Sequence, residues 1–161
     1  MLFRRNKNNK EFKRWHLILL ALVIVAAVGH RFYLTRWPTA LVRIGREQLK
    51  VLVASTQAHR VEGWSNKKDM GNYQGMLFVF PERSQHTMVM REMRFPLDII
   101  WLDGLTIVDI APNLAPEAGR AEADLTPYFA RLLSTQVLEL PAGFASQHGV
   151  KIGDEIEVRK Y

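Results

Sequence analysis

An unbroken run of thirteen apolar residues, Leu17–Gly29, constrains this chain more than any other feature of its sequence. Extended over residues 15–34 the segment reaches about 20 residues, the length of a helix that crosses a bilayer's hydrocarbon core. Aromatic residues lie at both ends, as they do at membrane interfaces: Trp15, Phe32, Tyr33 and Trp37. The sequence predicts a transmembrane anchor or signal peptide over residues 17–37, in contact with the lipid bilayer through residues 15–34. A buried core helix is the remaining alternative.

Basic residues precede the apolar run. Residues 1–16 hold six Lys or Arg side chains against Glu11 alone, whereas only Arg31 and Arg36 follow the run closely. Because cytoplasmic flanks carry an excess of Lys and Arg, we expect residues 1–16 to form a basic cytoplasmic tail. Residues 38–161 are then an extracytoplasmic domain of a single-pass protein of the cytoplasmic membrane. Cleavage of the apolar segment would make it a secreted protein.

The tail accounts for most of the formal net charge of +6. The rest of the chain carries sixteen basic and fifteen acidic residues, so it lacks the excess of positive charge that phosphate backbones require. We therefore expect no nucleic-acid partner. The absence of cysteine from the sequence excludes a disulfide framework, a thiol nucleophile and a thiolate metal site.

From about residue 40 onward, short apolar runs alternate with turn residues, which is typical of a β-rich domain. Ser55 or Thr56 is predicted to cap a short helix through Glu62, and Pro141 and Gly149 delimit a second one. The predicted strands are a hairpin over 41–54, then 75–80, 86–90, 97–103, 105–111, 135–140 and a last strand near the C-terminus. The fold class is mainly β (α+β): a compact antiparallel barrel or sandwich with one or two short helices, preceded by the transmembrane helix.

Four motifs resemble a known family in their order and spacing: "GMLFVF", "FPLDIIWLD", "VLELPAG" and "HGVKIGDEI". Over roughly residues 42–158 the chain resembles domain of unknown function family 192, also called uncharacterised protein family 0127. The resemblance implies a compact β-rich domain, commonly behind a signal peptide or anchor, without an established activity. Members usually read aromatic–Trp–Met–Lys–Asn–Thr where residues 88–93 here read Met–Val–Met–Arg–Glu–Met.

Two aspartates interrupt the apolar strand at 97–103. Strand alternation places Asp98 and Asp103 on opposite faces, and Asp103–Gly104 is a preferred pair for a two-residue hairpin turn. With those two residues in the turn, Asp98 would lie opposite Asp109, and like charges in that position require a shared proton, a cation or a basic partner. Asp98 therefore has three candidate roles: bracing a loop through backbone N–H groups, binding a ligand or cation, and acid–base catalysis.

Four further residues have side chains that could take part in chemistry. His86, Met88 and Met90 alternate along a predicted strand and offer soft ligands for Cu(I), although methionine is also ordinary core filler. We therefore expect no cofactor, and Cu(I) at these three residues is the alternative. Glu139, between apolar neighbours in "VLEL", is predicted to face solvent.

These features favour a membrane-anchored domain that binds a small ligand or an envelope partner over an enzyme. A ligand-binding site is predicted at Met90, Glu92, Asp98 and Asp109, with the long connection over residues 112–127 above it. One alternative is an acid–base hydrolase or lyase that uses Asp98 and Asp109. The other is a structural element of an envelope complex.

Overall fold

The computed structural model describes the backbone of residues 14–160 and the side chains of residues 15–31 and 36–159. The chain forms two compact units that divide after Arg36. The first contains helix α1, Arg14–Thr35, whose described leucine, isoleucine and valine side chains are exposed. Within the described residues, no helix is both long and apolar enough to cross a membrane. Of the predicted basic tail, residues 1–13 lie outside the described part of the chain.

The second unit begins at Trp37 and is mainly β, as predicted. Its helices are α2, Gln57–Glu62, and α3, Phe144–Gln147. Its strands are β1 Thr39–Ile44, β2 Glu47–Ala54, β3 Gly75–Ser84, β4 Thr87–Met88, β5 Leu97–Asp103, β6 Thr106–Leu114, β7 Tyr128–Phe129, β8 Ser134–Pro141 and β9 Ile156–Lys160.

Seven of these strands form one curled sheet in the order β6-β5-β8-β3-β2-β1-β9. Neighbouring strands are antiparallel except for β2 and β3, which are parallel because the chain crosses over through α2. The two edge strands meet: the Ile107 N–H donates to the Asp154 carbonyl at 2.9 Å, and the Ile156 N–H donates to the Leu105 carbonyl at 2.9 Å. The curl therefore brings the sheet back onto itself.

Both faces of the sheet are buried in its central strands. An inner cluster receives side chains from all seven strands, and on β5 it contains Ile100 and Leu102. An outer cluster contains Ile99 and Trp101 of the same strand, together with Trp64 and the methionines of the 88–93 segment. The central strands thus lie between two hydrophobic layers instead of having one face in water.

The register of the β5–β6 hairpin differs from the prediction. The turn residues are Gly104 and Leu105, and Asp103 pairs with Thr106 as the last strand position. The register then shifts between two pairs, Leu102 with Ile107 and Trp101 with Asp109. The predicted opposition of Asp98 and Asp109 is therefore wrong, because the turn begins one residue later than predicted and a β-bulge then shifts the pairing of β6 by one further residue.

Other local predictions had mixed outcomes. The Thr56 hydroxyl accepts the His59 N–H at 3.1 Å, which confirms the helix cap, and Gly45 lies in the first hairpin turn as expected. The predicted strand over 86–90 is reduced to Thr87–Met88, which pairs with β7 in a separate two-stranded ribbon. Strand β3 also continues through Pro81 to Ser84 instead of ending at the proline.

Candidate functional site

A cavity of about 240 Å³ lies between the outer face of the sheet and the segment that carries α2. Its lining is divided almost evenly between apolar and polar residues. The apolar part includes the aromatic rings of Trp64, Phe78 and Phe80, together with the side chains of Met88, Met93, Val61 and Val89. A concave site that combines apolar surface with polar groups can select a ligand, and this lining has both.

Glu139 is the polar residue that β8 contributes to the cavity. It pairs with Met76 of β3 on one side and with Ile99 of β5 on the other, and its residue is 5% exposed. Burial raises the pKa of its carboxyl to about 8, and burial is the sole cause of that shift. This shift favours the protonated, uncharged form of the side chain at neutral pH. The prediction that Glu139 faces solvent is wrong, because the outer cluster covers this face of the sheet.

Arg60 of α2 brings a fixed positive charge to the same cavity. Its Nη1 donates to the carbonyls of Ser55 at 2.8 Å and Val79 at 3.0 Å. Its guanidinium also lies 5.4 Å from the ring centroid of Phe80, a cation–π geometry. Since these partners are uncharged, they orient the guanidinium without neutralising it.

Arg91 ties the long connection to the cavity wall. Its Nε donates to Glu122 at 2.6 Å, and its Nη1 donates to the Val61 carbonyl at 3.2 Å. The hydrogen bond from Arg91 lowers the pKa of Glu122, which lies in a short 3-10 turn of the connection. Glu122 thus holds the connection against Arg91, which lines the cavity. Strand β6 extends into the predicted connection over 112–127 and occupies its first residues.

Glu92 lies beside the cavity wall and is exposed. Its backbone is left-handed, with φ of 51°, and its carbonyl accepts the N–H of Asn66, itself left-handed with φ of 61°. The Asn66 side-chain amide also donates to the Glu92 carboxylate. Asparagine favours this backbone region more than glutamate does. Glu92 shapes the wall without lining the cavity.

Asp98 is fully buried and braces the start of α3. Its Oδ1 accepts the N–H groups of Asn113 at 2.8 Å and Gly143 at 2.9 Å, and its Oδ2 accepts the N–H of Ala145 at 2.8 Å. Three backbone donors from two separate segments therefore converge on one carboxylate. This arrangement matches the structural role that the sequence left open for Asp98.

Asp109 is paired with Arg131. Its Oδ1 accepts the Arg131 Nη2 at 2.7 Å and its Oδ2 accepts the Arg131 backbone N–H at 2.8 Å. These bonds lower the pKa of the Asp109 carboxyl. Because Asp109 lies opposite Trp101, it shares the outer face of the sheet, whereas Asp98 lies on the face of Ile100. The carboxylate pair required by the catalytic alternative is therefore not assembled.

Of the residues predicted to bind a ligand or copper, only Met88 lines the cavity. Met90 is 1% exposed within the outer cluster, and none of Met90, Glu92, Asp98 and Asp109 lines the cavity. Of the copper candidates, Met88 lines it, while the His86 ring stacks on Phe80 with centroids 3.6 Å apart. The Cu(I) site stays a prediction.

Comparisons with known proteins fit this architecture. The family model of DUF192, described as "Uncharacterized ACR", matches residues 40–158, so the chain belongs to that family. A solved structure from Sinorhizobium meliloti 1021, described as a "putative transcription regulator", is 27% identical with a TM-score of 0.65 and covers 76% of this chain and 94% of its own. A protein of unknown function from Novosphingobium aromaticivorans DSM 12444 is 29% identical with a TM-score of 0.62, covering 74% of this chain and 83% of its own. A search of curated proteins finds no match.

Proposed function

We propose that the β-rich unit is a small-ligand-binding domain whose ligand occupies the cavity above Glu139. The observation that carries this proposal is the buried Glu139 carboxyl in the lining of a partly apolar cavity of about 240 Å³. Placing an ionisable group there without a charged partner weakens folding, because burial penalises its charged form. A ligand that accepts a hydrogen bond from the protonated carboxyl would explain why an ionisable residue occupies this position.

The same lining favours binding over catalysis. Ser65 is one of two hydroxyl-bearing residues in the lining, and its hydroxyl donates to the Arg91 carbonyl at 3.1 Å instead of to a base. Arg60 and Arg91 cannot act as bases near neutral pH, since arginine keeps its proton. A neutral Glu139 in a partly apolar cavity therefore serves as a hydrogen-bond donor toward a bound molecule.

We also propose that the chain is anchored in the cytoplasmic membrane through residues 15–34, with the ligand-binding domain outside the cytoplasm. The apolar run, the basic residues in front of it and the exposed apolar side chains of α1 support this placement. An anchor would keep the binding domain at the membrane surface, where it samples molecules of the cell envelope.

Native mass spectrometry of the full chain purified from its own host tests the ligand proposal. We expect a non-covalently bound species on the wild-type protein that is lost from Val89→Trp, because Val89 lines the cavity and the indole would fill it. Leu105→Trp, which adds the same ring at an exposed turn, should retain the species. Protein free of any bound species, or equal retention by Val89→Trp, would refute the proposal.

The natural absence of cysteine allows a direct test of topology. Single variants Asn8→Cys in the tail and Lys68→Cys at an exposed position of the domain are treated with a membrane-impermeant maleimide in intact cells or spheroplasts. We expect only Lys68→Cys to react before lysis and both to react after it. The opposite labelling pattern would show that the domain lies in the cytoplasm.

A further inference from the structure

Two hydrogen-bond donors of different charge line the cavity, and together they define the kind of ligand that fits. Arg60 carries a full positive charge and is held by the uncharged acceptors of Ser55 and Val79. Glu139 lies in β8 on the sheet side of the cavity, 5% exposed. Trp64, Phe78 and Met88 supply apolar wall. This set offers donors and apolar contacts to a ligand.

We infer that the cavity binds a small organic monoanion with an apolar body, whose anionic group pairs with Arg60 and whose other polar end accepts a hydrogen bond from Glu139. This inference rests on the proposed ligand-binding function and adds the chemical class of the ligand. The Nη2 group of Arg60 makes a long contact of 3.4 Å with Gln57 Oε1. An anionic oxygen is a stronger acceptor for this guanidinium, because a charge-assisted hydrogen bond is about twice as strong as a neutral one.

A cationic ligand fits this lining poorly. The face of Phe80, which would attract a cation, already faces the Arg60 guanidinium at 5.4 Å. The Arg91 charge is compensated by Glu122, and Glu62 accepts a hydrogen bond from Lys67 at 2.9 Å. Since each of these two pairs is neutral overall, the remaining charge in the lining is the positive charge of Arg60, which repels an ammonium group.

The pH dependence follows from the groups that face Glu139. Its strand neighbours, Met76 and Ile99, do not titrate, and the other ionisable lining residues are Arg60, Glu62 and Arg91. Deprotonation of Glu139 removes the donor and adds a negative charge beside the anion. Anion binding should therefore weaken as pH rises from 7 to 9, through the pKa of about 8.

Three probes of matched length separate the ligand classes: hexanoate, hexanamide and hexylammonium, each carrying a 6-hydroxyl group as the polar end that can accept a hydrogen bond from Glu139. Dissociation constants are measured by ligand-observed NMR with the full chain in lipid nanodiscs and with empty nanodiscs as the blank. We expect hexanoate to bind most tightly, and Arg60→Gln to weaken hexanoate about tenfold while leaving hexanamide within about twofold. Glu139→Gln, which keeps a donor but does not titrate, should abolish the fall in hexanoate affinity between pH 7 and 9.

The outcomes distinguish this inference from the proposed function. Tighter binding of hexanamide or hexylammonium than of hexanoate, with binding lost in Val89→Trp, would overturn the monoanion inference and leave the ligand-binding cavity in place. Equal weakening of hexanoate and hexanamide by Arg60→Gln would show that Arg60 only supports the fold, which also overturns it. Failure of all three probes would refute the inference, and the proposed function would then be decided by the native mass spectrum.

Discussion

Asp98 and Ala145 lie 47 positions apart in the chain, yet the Ala145 backbone N–H donates to Oδ2 of Asp98 at 2.8 Å. Together with the bonds from Asn113 and Gly143, this contact fixes α3 to the start of β5. Asp98→Ala should lower the free energy of unfolding by roughly 3–5 kcal/mol, because it leaves three backbone donors without an acceptor. Urea unfolding measures the loss. Asp98→Asn, which retains one acceptor oxygen, should lose less, and a change below about 1 kcal/mol in Asp98→Ala would contradict the bracing role.

The Asp109–Arg131 ion pair should make stability depend on pH in the acid range. The folded-state pKa of Asp109 is lowered, chiefly by its hydrogen bond with Arg131, so its contribution is present above the unfolded pKa. That contribution is lost as pH falls through the folded value. We expect Arg131→Gln to be less stable than wild type at pH 7, with the difference shrinking as Asp109 becomes protonated. Urea unfolding at a series of pH values measures the difference in stability between the two proteins. A difference that stays constant over the acid range would show that the Asp109–Arg131 pair is not its source.

Glu139 should act on stability in the opposite direction. Its folded-state pKa of about 8 lies above the unfolded value, so the stability is fully present below the unfolded pKa and declines as pH rises toward 8. The slope of the unfolding free energy should be roughly 1 kcal/mol per pH unit between pH 5 and 8. Glu139→Gln should flatten this slope. An equal slope in both proteins would show that Glu139 is charged in the folded state.

Gly75 packs closely against the strand that carries Glu139. A Cβ at this position would lie 2.5 Å from the Glu139 carbonyl oxygen and 2.7 Å from Leu140 Cδ2. Gly75→Ala should therefore destabilise the protein by roughly 1–3 kcal/mol, since the β3–β8 pair must separate to admit a methyl group. Gly29→Ala is the control, because nothing lies within 4 Å of a Cβ added there. Thermal unfolding of the two variants compares them, and equal midpoints would contradict the close contact.

Glu92 holds a left-handed backbone, with φ of 51°, that disfavours glutamate. Glu92→Asn should raise the free energy of unfolding by up to about 1 kcal/mol, because asparagine adopts this conformation at lower cost. Arg94→Asn, at an exposed neighbour outside the set of positive-φ residues, should not stabilise. Chemical denaturation of both variants decides the matter. A less stable Glu92→Asn would mean that the bond from Asn66 to the Glu92 carboxylate outweighs the backbone preference.

The strands and caps were predictable because their signals are local. Thr56 before a helix and Gly45 between two apolar runs act within a few residues, and the structure places both as expected. The register of β5 and β6 was not predictable from Asp103 and Gly104. Gly104, with φ of 60°, takes the first turn position instead of the second, and the bulge near Val108 then shifts the partner of Trp101.

The cavity was missed because its lining comes from segments distant in sequence. The prediction that Glu139 faces solvent requires β8 to have one polar face. Val137 and Leu138 are successive apolar residues that point to opposite faces, and this pattern indicates a strand buried on both sides. That signal could have located the buried acid. The pairing of Asp109 with Arg131 depends on how loops return to the sheet, which no short pattern encodes.

The closure of the curled sheet has a consequence for the order of folding during synthesis. Strand β9 is the last strand to emerge, and it pairs with β1, the first strand of the domain, from Ala40 with Lys160 to Ile44 with Ile156. Until residues 156–160 have left the ribosome or a translocation channel, one edge of β1 stays unpaired and open to other chains. A nascent chain stalled before β9 would therefore keep this edge of the sheet open, and it would be a substrate for chaperones.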